Sequence, residues 1–134
     1  MSDKLLEVEI VSPEKYIYQG KAQSVFVPGS LAPFEILYNH APIFSLLDPG
    51  VIKIVEESGN PLLYAIRSGF VEVLHNSISI VAERIASKDE MNSTDISKNI
   101  EQLHSQKSQA NFEKQESIEK DILYEQSKLK VMNS

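Results

Sequence analysis

The sequence predicts an α+β chain, with an antiparallel β-sandwich or barrel over residues 1–87 and a helical segment over residues 88–134. Three observations carry that expectation. All five Gly and six Pro lie between Pro13 and Gly69, and none occurs in the last 65 of the 134 residues. Apolar residues fill 43 of the first 87 positions but only 13 of the last 47. Their spacing also changes near Ser87, from alternation to a three-and-four repeat. A segment of about 90 residues buries somewhat over 60% of its unfolded surface, enough for its own core. The tail lacks the apolar content to fold alone.

Taken in order, Leu6–Val11 alternates apolar and acidic side chains and stops at the turn signal Ser12, Pro13, Glu14, which reads as a half-buried strand. Further short strands are expected at 16–18, 22–27, 34–37, 43–47, 51–56, 62–67, 70–75 and 78–83. Their breaks fall at Gly20, Pro28 with Gly29, residues 39–42, residues 48–50, residues 58–61, Ser68 with Gly69, and Asn76 with Ser77. No stretch between them is long enough for a crossover helix, so tight turns and antiparallel pairing follow. A helix is expected to begin at Ser87, because Ser87 and Glu90 have the spacing of a capping box. Ile96, Ile100 and Leu103 then form a narrow apolar stripe, residues 104–111 are polar, and Ile118, Ile122 and Leu129 resume the stripe. Glu116 and Lys120 stand in the favourable order for a helical ion pair. The pattern fits two helices of roughly three to five turns, or one long helix with a weak middle. Either is too narrowly apolar to stand without docking on the sandwich or a partner.

Several kinds of chemistry fall away. Without Cys there is no disulfide framework, thiolate metal site or Cys nucleophile. A net charge of −6 with no basic patch argues against a nucleic-acid partner. Met1, Ser2, Asp3 and Lys4 open no basic head with an apolar run behind it, so no secretory leader is expected. Apolar runs fall far short of the roughly 20 residues a spanning helix needs, so membrane association is expected only through a partner. His40, His75 and His104 are 35 and 29 residues apart, and none sits in a metal-ligand pair. His40 with Asp48 is the one candidate base, and a turn histidine that packs its ring and bonds backbone is the better reading of it. No nucleophile elbow or glycine phosphate cradle occurs, which disfavours an enzyme. Asp89, Glu90 and Asp95 are the acidic residues that a helix start favours, and read as no more than that. What remains is the loop 27–34 with the following segment 36–42. Two Pro and one Gly around Leu31 and Phe34 describe a fixed apolar loop, either a contact surface or a connection whose side chains turn inward.

At this point the sequence resembles the epsilon subunits of bacterial and plastid F-type ATP synthases. The carrying residues run Val8, Glu9, Ile10, Val11, Ser12, Pro13, Glu14, then Tyr18, Gln19, Gly20, then Val25, Phe26, Val27, Pro28, Gly29, Ser30. Asn39, His40, Ala41, Pro42 follow, then Pro49, Gly50, Val51, Ile52, Lys53, Ile54 and finally Ser68, Gly69, Phe70, Val71, Glu72, Val73. The resemblance implies a β-sandwich over 1–87, a two-helix hairpin over 88–134, and a non-catalytic place in the central stalk, on the membrane c-subunit ring beside gamma. Ion flow, of H⁺ or Na⁺, would turn the ring and this subunit would help pass the torque to gamma, with the catalytic sites in alpha and beta. It implies attachment at the cytoplasmic face of the bacterial inner membrane, with the plastid thylakoid as the lesser alternative, without direct insertion in the bilayer and without a cofactor.

Residue by residue, the family's ring-facing loop maps onto Gly29, Ser30, Leu31, Ala32 and Pro33, and its turn beside gamma and the ring onto His40, Ala41 and Pro42. Relatives usually carry Glu-Gly and an acidic or small residue where this chain has Leu31, Ala32 and Pro33, so a stiffer and more apolar contact is implied. Some members bind ATP through a motif whose Arg position holds Asp95 here and whose small Ala is Ile96; an anion in place of the phosphate-pairing cation implies no useful ATP binding. Family hairpins also extend along gamma into the alpha/beta head and oppose hydrolysis through basic residues, for which Lys107, Lys114, Lys120, Lys128 and Lys130 are the candidates. The segment 88–134 that carries them also holds nine acidic residues, so inhibition by charge alone should be weak. The rival readings are a free-standing β-sandwich interaction module whose helical tail self-associates, and a small enzyme built on His40.

Overall fold

A computed structural model describes residues 4–134, and within them seven strands precede a short 3₁₀ turn and two α-helices. The strands are β1 (Leu6–Val11), β2 (Tyr16–Val27), β3 (Phe34–Leu37), β4 (Ile43–Leu47), β5 (Gly50–Glu56), β6 (Pro61–Leu74) and β7 (Ser77–Ser87). The helices are α1 (Ser93–Gln109) and α2 (Phe112–Met132). Alternation sets the burial of each strand. In β1 Leu6, Val8 and Ile10 point inward while Glu7 faces solvent.

Three long strands serve both sheets. The first half of β2 pairs with β1 (Leu6↔Ala22, Ile10↔Tyr18), and its second half lies between β3 and β5 (Val25↔Ile36, Val25↔Ile54). Likewise β6 pairs first with β5 (Ile52↔Tyr64) and then with β4 (Ser45↔Val71), and β7 pairs with it from Tyr64 to Leu74. One sheet therefore runs β4, β6, β7, β1, β2 and the other β3, β2, β5, β6, β7. All these pairings are antiparallel except β1 with β7, which run parallel. The facing sides enclose a core of Leu6, Val8, Ile10, Val25, Ile36, Ile52, Ile54, Ile66, Ile78 and Ile80, each at most 2% exposed. Each such aliphatic side chain contributes about 1.5–3 kcal/mol relative to exposure.

The breaks expected at Gly20 and at Ser68 with Gly69 are corrected to continuous strand. The chain bends there from one sheet into the other rather than turning back, and the ladder slips register between Ile66, Ser68 and Gly69. At Gly69 a Cβ would run into the Val81 carbonyl oxygen, so the crossing requires glycine for its closeness. The expected helix start at Ser87 is also corrected. The Ser87 N–H and hydroxyl both donate to Glu90 Oε1 at 3.0 Å, but this closes only the 3₁₀ turn Lys88–Glu90. Extended backbone at Met91 and Asn92 interrupts, and Asn92 Oδ1 caps α1 by accepting from the N–H groups of Thr94 and Asp95 at 2.9 and 3.1 Å.

Of the two tail geometries left open, the hairpin is present. Ala110 and Asn111 separate the helices, and Asn111 Oδ1 accepts from the Lys114 N–H at 3.0 Å. Gln115 Nε2 donates back to the carbonyls of Lys107 and Ala110 at 3.3 and 3.1 Å, so the end of α1 does not lack donors. The helix α2 lies on the outer side of β5 and β6, and α1 rests on α2. The Glu116–Lys120 ion pair does not form.

Candidate interaction surfaces

The loop 28–33 between β2 and β3 is braced against the end of β4. Gly29 bridges Leu47, the Ser30 N–H donates to the Leu46 carbonyl at 2.9 Å, and the Asp48 N–H donates to the Pro28 carbonyl at 2.9 Å. The Ser30 hydroxyl closes the set by donating to Asp48 Oδ1 at 2.9 Å. A Cβ at Gly29 would lie 2.6 Å from the Ala32 carbonyl oxygen and 2.9 Å from the Phe34 ring, so the tight loop requires glycine there. Leu31 at the apex is fully exposed, at 102% of its reference area, while Phe34 packs against the core. The two alternatives for this loop thus divide between its two apolar side chains.

Ala32, Pro33, Ala41 and Pro42 are exposed and His40 is half-buried. The His40 Nδ1 is 2.7 Å from the Ala41 carbonyl, so that nitrogen carries the hydrogen, and its ring stands 6.1 Å from the Phe34 ring. His40 is thereby tied to the base of the loop 28–33. Asp48 Oδ1 accepts from the Ser30 hydroxyl, and among the described residues no bond joins His40 to Asp48. Sequence reasoning missed Phe44 and Leu46, whose side chains leave the outer face of β4 at 59% and 61% exposure. The Phe44 ring lies 5.2 Å from the Phe70 ring, and the Ser30 bond to Leu46 holds the loop beside β4, so exposed apolar side chains stand on both loop and edge strand. Their signal was present: in Ile43–Leu47 all four apolar residues flank a single Ser, so both faces are apolar.

The second surface is where the tail docks. Ala65 of β6 packs with Tyr124 and Val131 of α2, and Val51, Leu63 and Met91 complete the cluster. Burial, and then the neighbouring Glu125, push the Tyr124 phenol up to about 12. Beside the cluster Arg67, only 9% exposed, sends Nε to Asp121 Oδ1 at 2.5 Å and Nη2 to the Ser117 hydroxyl and carbonyl at 3.2 and 3.3 Å. Its Nη1 reaches Glu83 at 3.2 Å, and Arg84 shares Asp121 at 3.1 Å. Arg67 was not among the expected residues. The unbroken apolar run at 62–66 before it pointed to a strand covered on both faces.

The candidate lysines of the tail fall into two groups. Lys107 bridges to Glu119 across the hairpin at 2.6 Å, and Lys128 pairs with the buried Glu125 at 2.8 Å beneath its cation–π contact with Tyr124. Lys114, Lys120 and Lys130 are exposed and form no ion pair among the described residues. Asp95 lies exposed in the first turn of α1, while Ile96 beside it is buried. Among the described residues no helix is long and apolar enough to cross a membrane.

These features match a known family. A family model described as ATP synthase, Delta/Epsilon chain, beta-sandwich domain matches residues 5–88, the whole sandwich. The chain is similar to the ATP synthase epsilon chain of Leptospira interrogans, 41% identical over 92 residues that cover 68% of this chain and 71% of the relative. It is also similar to that of Sinorhizobium medicae, 30% identical over 111 residues spanning 83% of each. Among solved structures, a chain in the OSCP, F1 and c-ring assembly of the Euglena gracilis mitochondrial ATP synthase superposes with a TM-score of 0.81 at 16% identity. That likeness of fold covers 100% of this chain and 84% of the other, hairpin included. A chain of the Tetrahymena thermophila mitochondrial ATP synthase central stalk and c-ring gives 0.52 at 22% identity, over 63% and 68%. With a family match across its sandwich and curated relatives at these identities, the chain belongs to the epsilon-chain family of the F-type ATP synthases.

Proposed function

We propose that this chain is a non-catalytic rotor subunit whose sandwich seats on the c-subunit ring beside gamma and passes ion-driven rotation to it. The observation that carries the reading is the braced loop. Torque crosses a contact without loss only if the contact does not yield, and here two backbone bonds and the Ser30–Asp48 bond pin residues 28–30 to β4 and present Leu31 outward. Gly29, Ser30, Leu31, Ala32 and Pro33 then meet the ring. His40, Ala41 and Pro42, with Phe44 and Leu46, supply the adjoining contact with ring and gamma. An apolar apex favours an apolar counterpart on the ring, by the same burial that drives most association. The test is a cysteine at position 31 in the assembled complex: oxidative or short-linker capture of a c subunit supports the reading, and its failure beside efficient capture from position 40 overturns the placement.

The hairpin is proposed to be a brake on ATP hydrolysis, engaged when it leaves the sandwich and reaches the alpha/beta head. Lys114, Lys120 and Lys130 are free to meet acidic groups there, whereas Lys107 and Lys128 first have to give up Glu119 and Glu125. Complexes carrying a subunit that ends at Ser87 are expected to hydrolyse ATP faster than intact ones, and equal rates would remove the brake. The self-associating alternative would have to give up Tyr124 and Val131, which pack with Ala65 of the chain's own β6.

A further inference from the structure

We infer that Arg67 is the positioning residue of the tail, and that the hairpin leaves the sandwich in two steps, α1 before α2. The inference rests on reading the hairpin as a movable element, and its observations are those of the docked state. Ser117 and Asp121 are four residues apart, one above the other on the face of α2 that meets the sheet. The planar guanidinium of Arg67 spans that single turn, with Nε on Asp121 and Nη2 on Ser117, while Glu83 of β7 holds its third nitrogen. A fork with fixed spacing admits α2 in one position along β6, which a purely apolar patch of Ala65, Leu63 and Val51 would not enforce.

The two helices are held unequally. Five residues of α2 are buried, Ile122, Tyr124, Glu125, Ser127 and Val131, against Ile96 alone in α1. Among the described residues the polar ties of α1 to the rest of the fold also end on α2: Asn99 Nδ2 donates to Glu125 Oε1 at 3.0 Å and Lys107 pairs with Glu119 at 2.6 Å. Helix α1 can therefore detach while α2 keeps its whole contact with the sheet. The reverse order would strip α1 of its support. Local opening follows the weakest set of contacts first.

Amide hydrogen exchange on the full chain tests both parts. The expected result is exchange in α1 faster than in α2 by about tenfold or more. Arg67→Ala raises α2 exchange by a similar factor, as loss of a charge-assisted bond implies, and leaves β1 and β7 protected. Arg67→Lys does not restore α2, because a single ammonium does not span both Ser117 and Asp121. The double variant Ser117→Ala with Asp121→Ala removes the same bonds from the helix side, and gives the same result even where the Arg67 variants fail to fold. Equal exchange of the two helices in the unaltered chain overturns the order of release. Unchanged α2 exchange in the helix-side variant overturns the role of Arg67. Hydrolysis by complexes with the truncated subunit reports on the brake separately, so either conclusion can fail without the other.

Discussion

Single side chains in this molecule divide sharply between those the fold needs and those that only a partner would use. Leu31 is fully exposed, so Leu31→Ser should leave stability within about 0.5 kcal/mol by urea melting, while weakening retention of the subunit on the ring. Gly69 is the opposite case. Any Cβ there meets the Val81 carbonyl, so Gly69→Ala should cost about 1–3 kcal/mol, as overpacking does, in the same measurement. Glu90 carries a pH signature. The Ser87 backbone N–H holds its carboxyl below the usual value of 4.5, so the bond contributes stability above that value and loses it as pH falls through the depressed one. The Ser87 amide resonance should therefore shift in an acid titration below pH 4.5, and Glu90→Gln should abolish the step. Asp95 should keep ATP away from the junction of sandwich and hairpin, so that calorimetric titration of the full chain detects no sub-millimolar affinity. Much at this scale was legible in the sequence. Asp95 was visible as a reversal of sign within a motif. The outward turn of Leu31 was not, because it depends on Ser30 finding Leu46 and Asp48, which lie 16 and 18 residues further on.

Elements are legible where one local rule decides them, and not where two compete. The strands β1, β3 and β4 end where turn chemistry places their ends. Gly20 and Gly69 also look like breaks, yet the strands continue through them with a bend, because a glycine that makes room for the Tyr18 side chain or for the Val81 backbone resembles in sequence one that makes a turn. At the tail two capping signals lie five residues apart. Ser87 with Glu90 closes one 3₁₀ turn, and Asn92 starts α1. What separates them is the docking of Met91 on the Ala65, Tyr124 and Val131 cluster, a tertiary contact that no local pattern contains. Asn92→Ala should therefore shorten α1 at its start and cost about 1 kcal/mol, seen as lower helicity by circular dichroism and a lower melting temperature. The equivalent change at Ser87 should spare α1 and affect only the 88–90 turn.

Across the whole molecule, the boundary between sandwich and tail is also a boundary between two cores. The large cluster between the sheets draws every member from residues 6–85, and the small one beneath α2 needs Tyr124 and Val131 from the tail. A chain ending at Ser87 should then keep its sandwich, with one cooperative urea transition, since none of the ladder pairings of β1 to β7 involves a tail residue. Its cost should appear at Arg67. That guanidinium loses Asp121 and Ser117 but gains water, so the penalty stays below the roughly 3–5 kcal/mol of breaking a pair that remains buried. Val51, Leu63 and Ala65 become exposed in the same step, and the truncated chain should accordingly bind a hydrophobic dye that the full chain excludes. A truncated chain that failed to fold would make the hairpin a structural part of the sandwich. It would then be unable to move without unfolding what it rests on, whereas a folded one has the independence that a reversible brake requires.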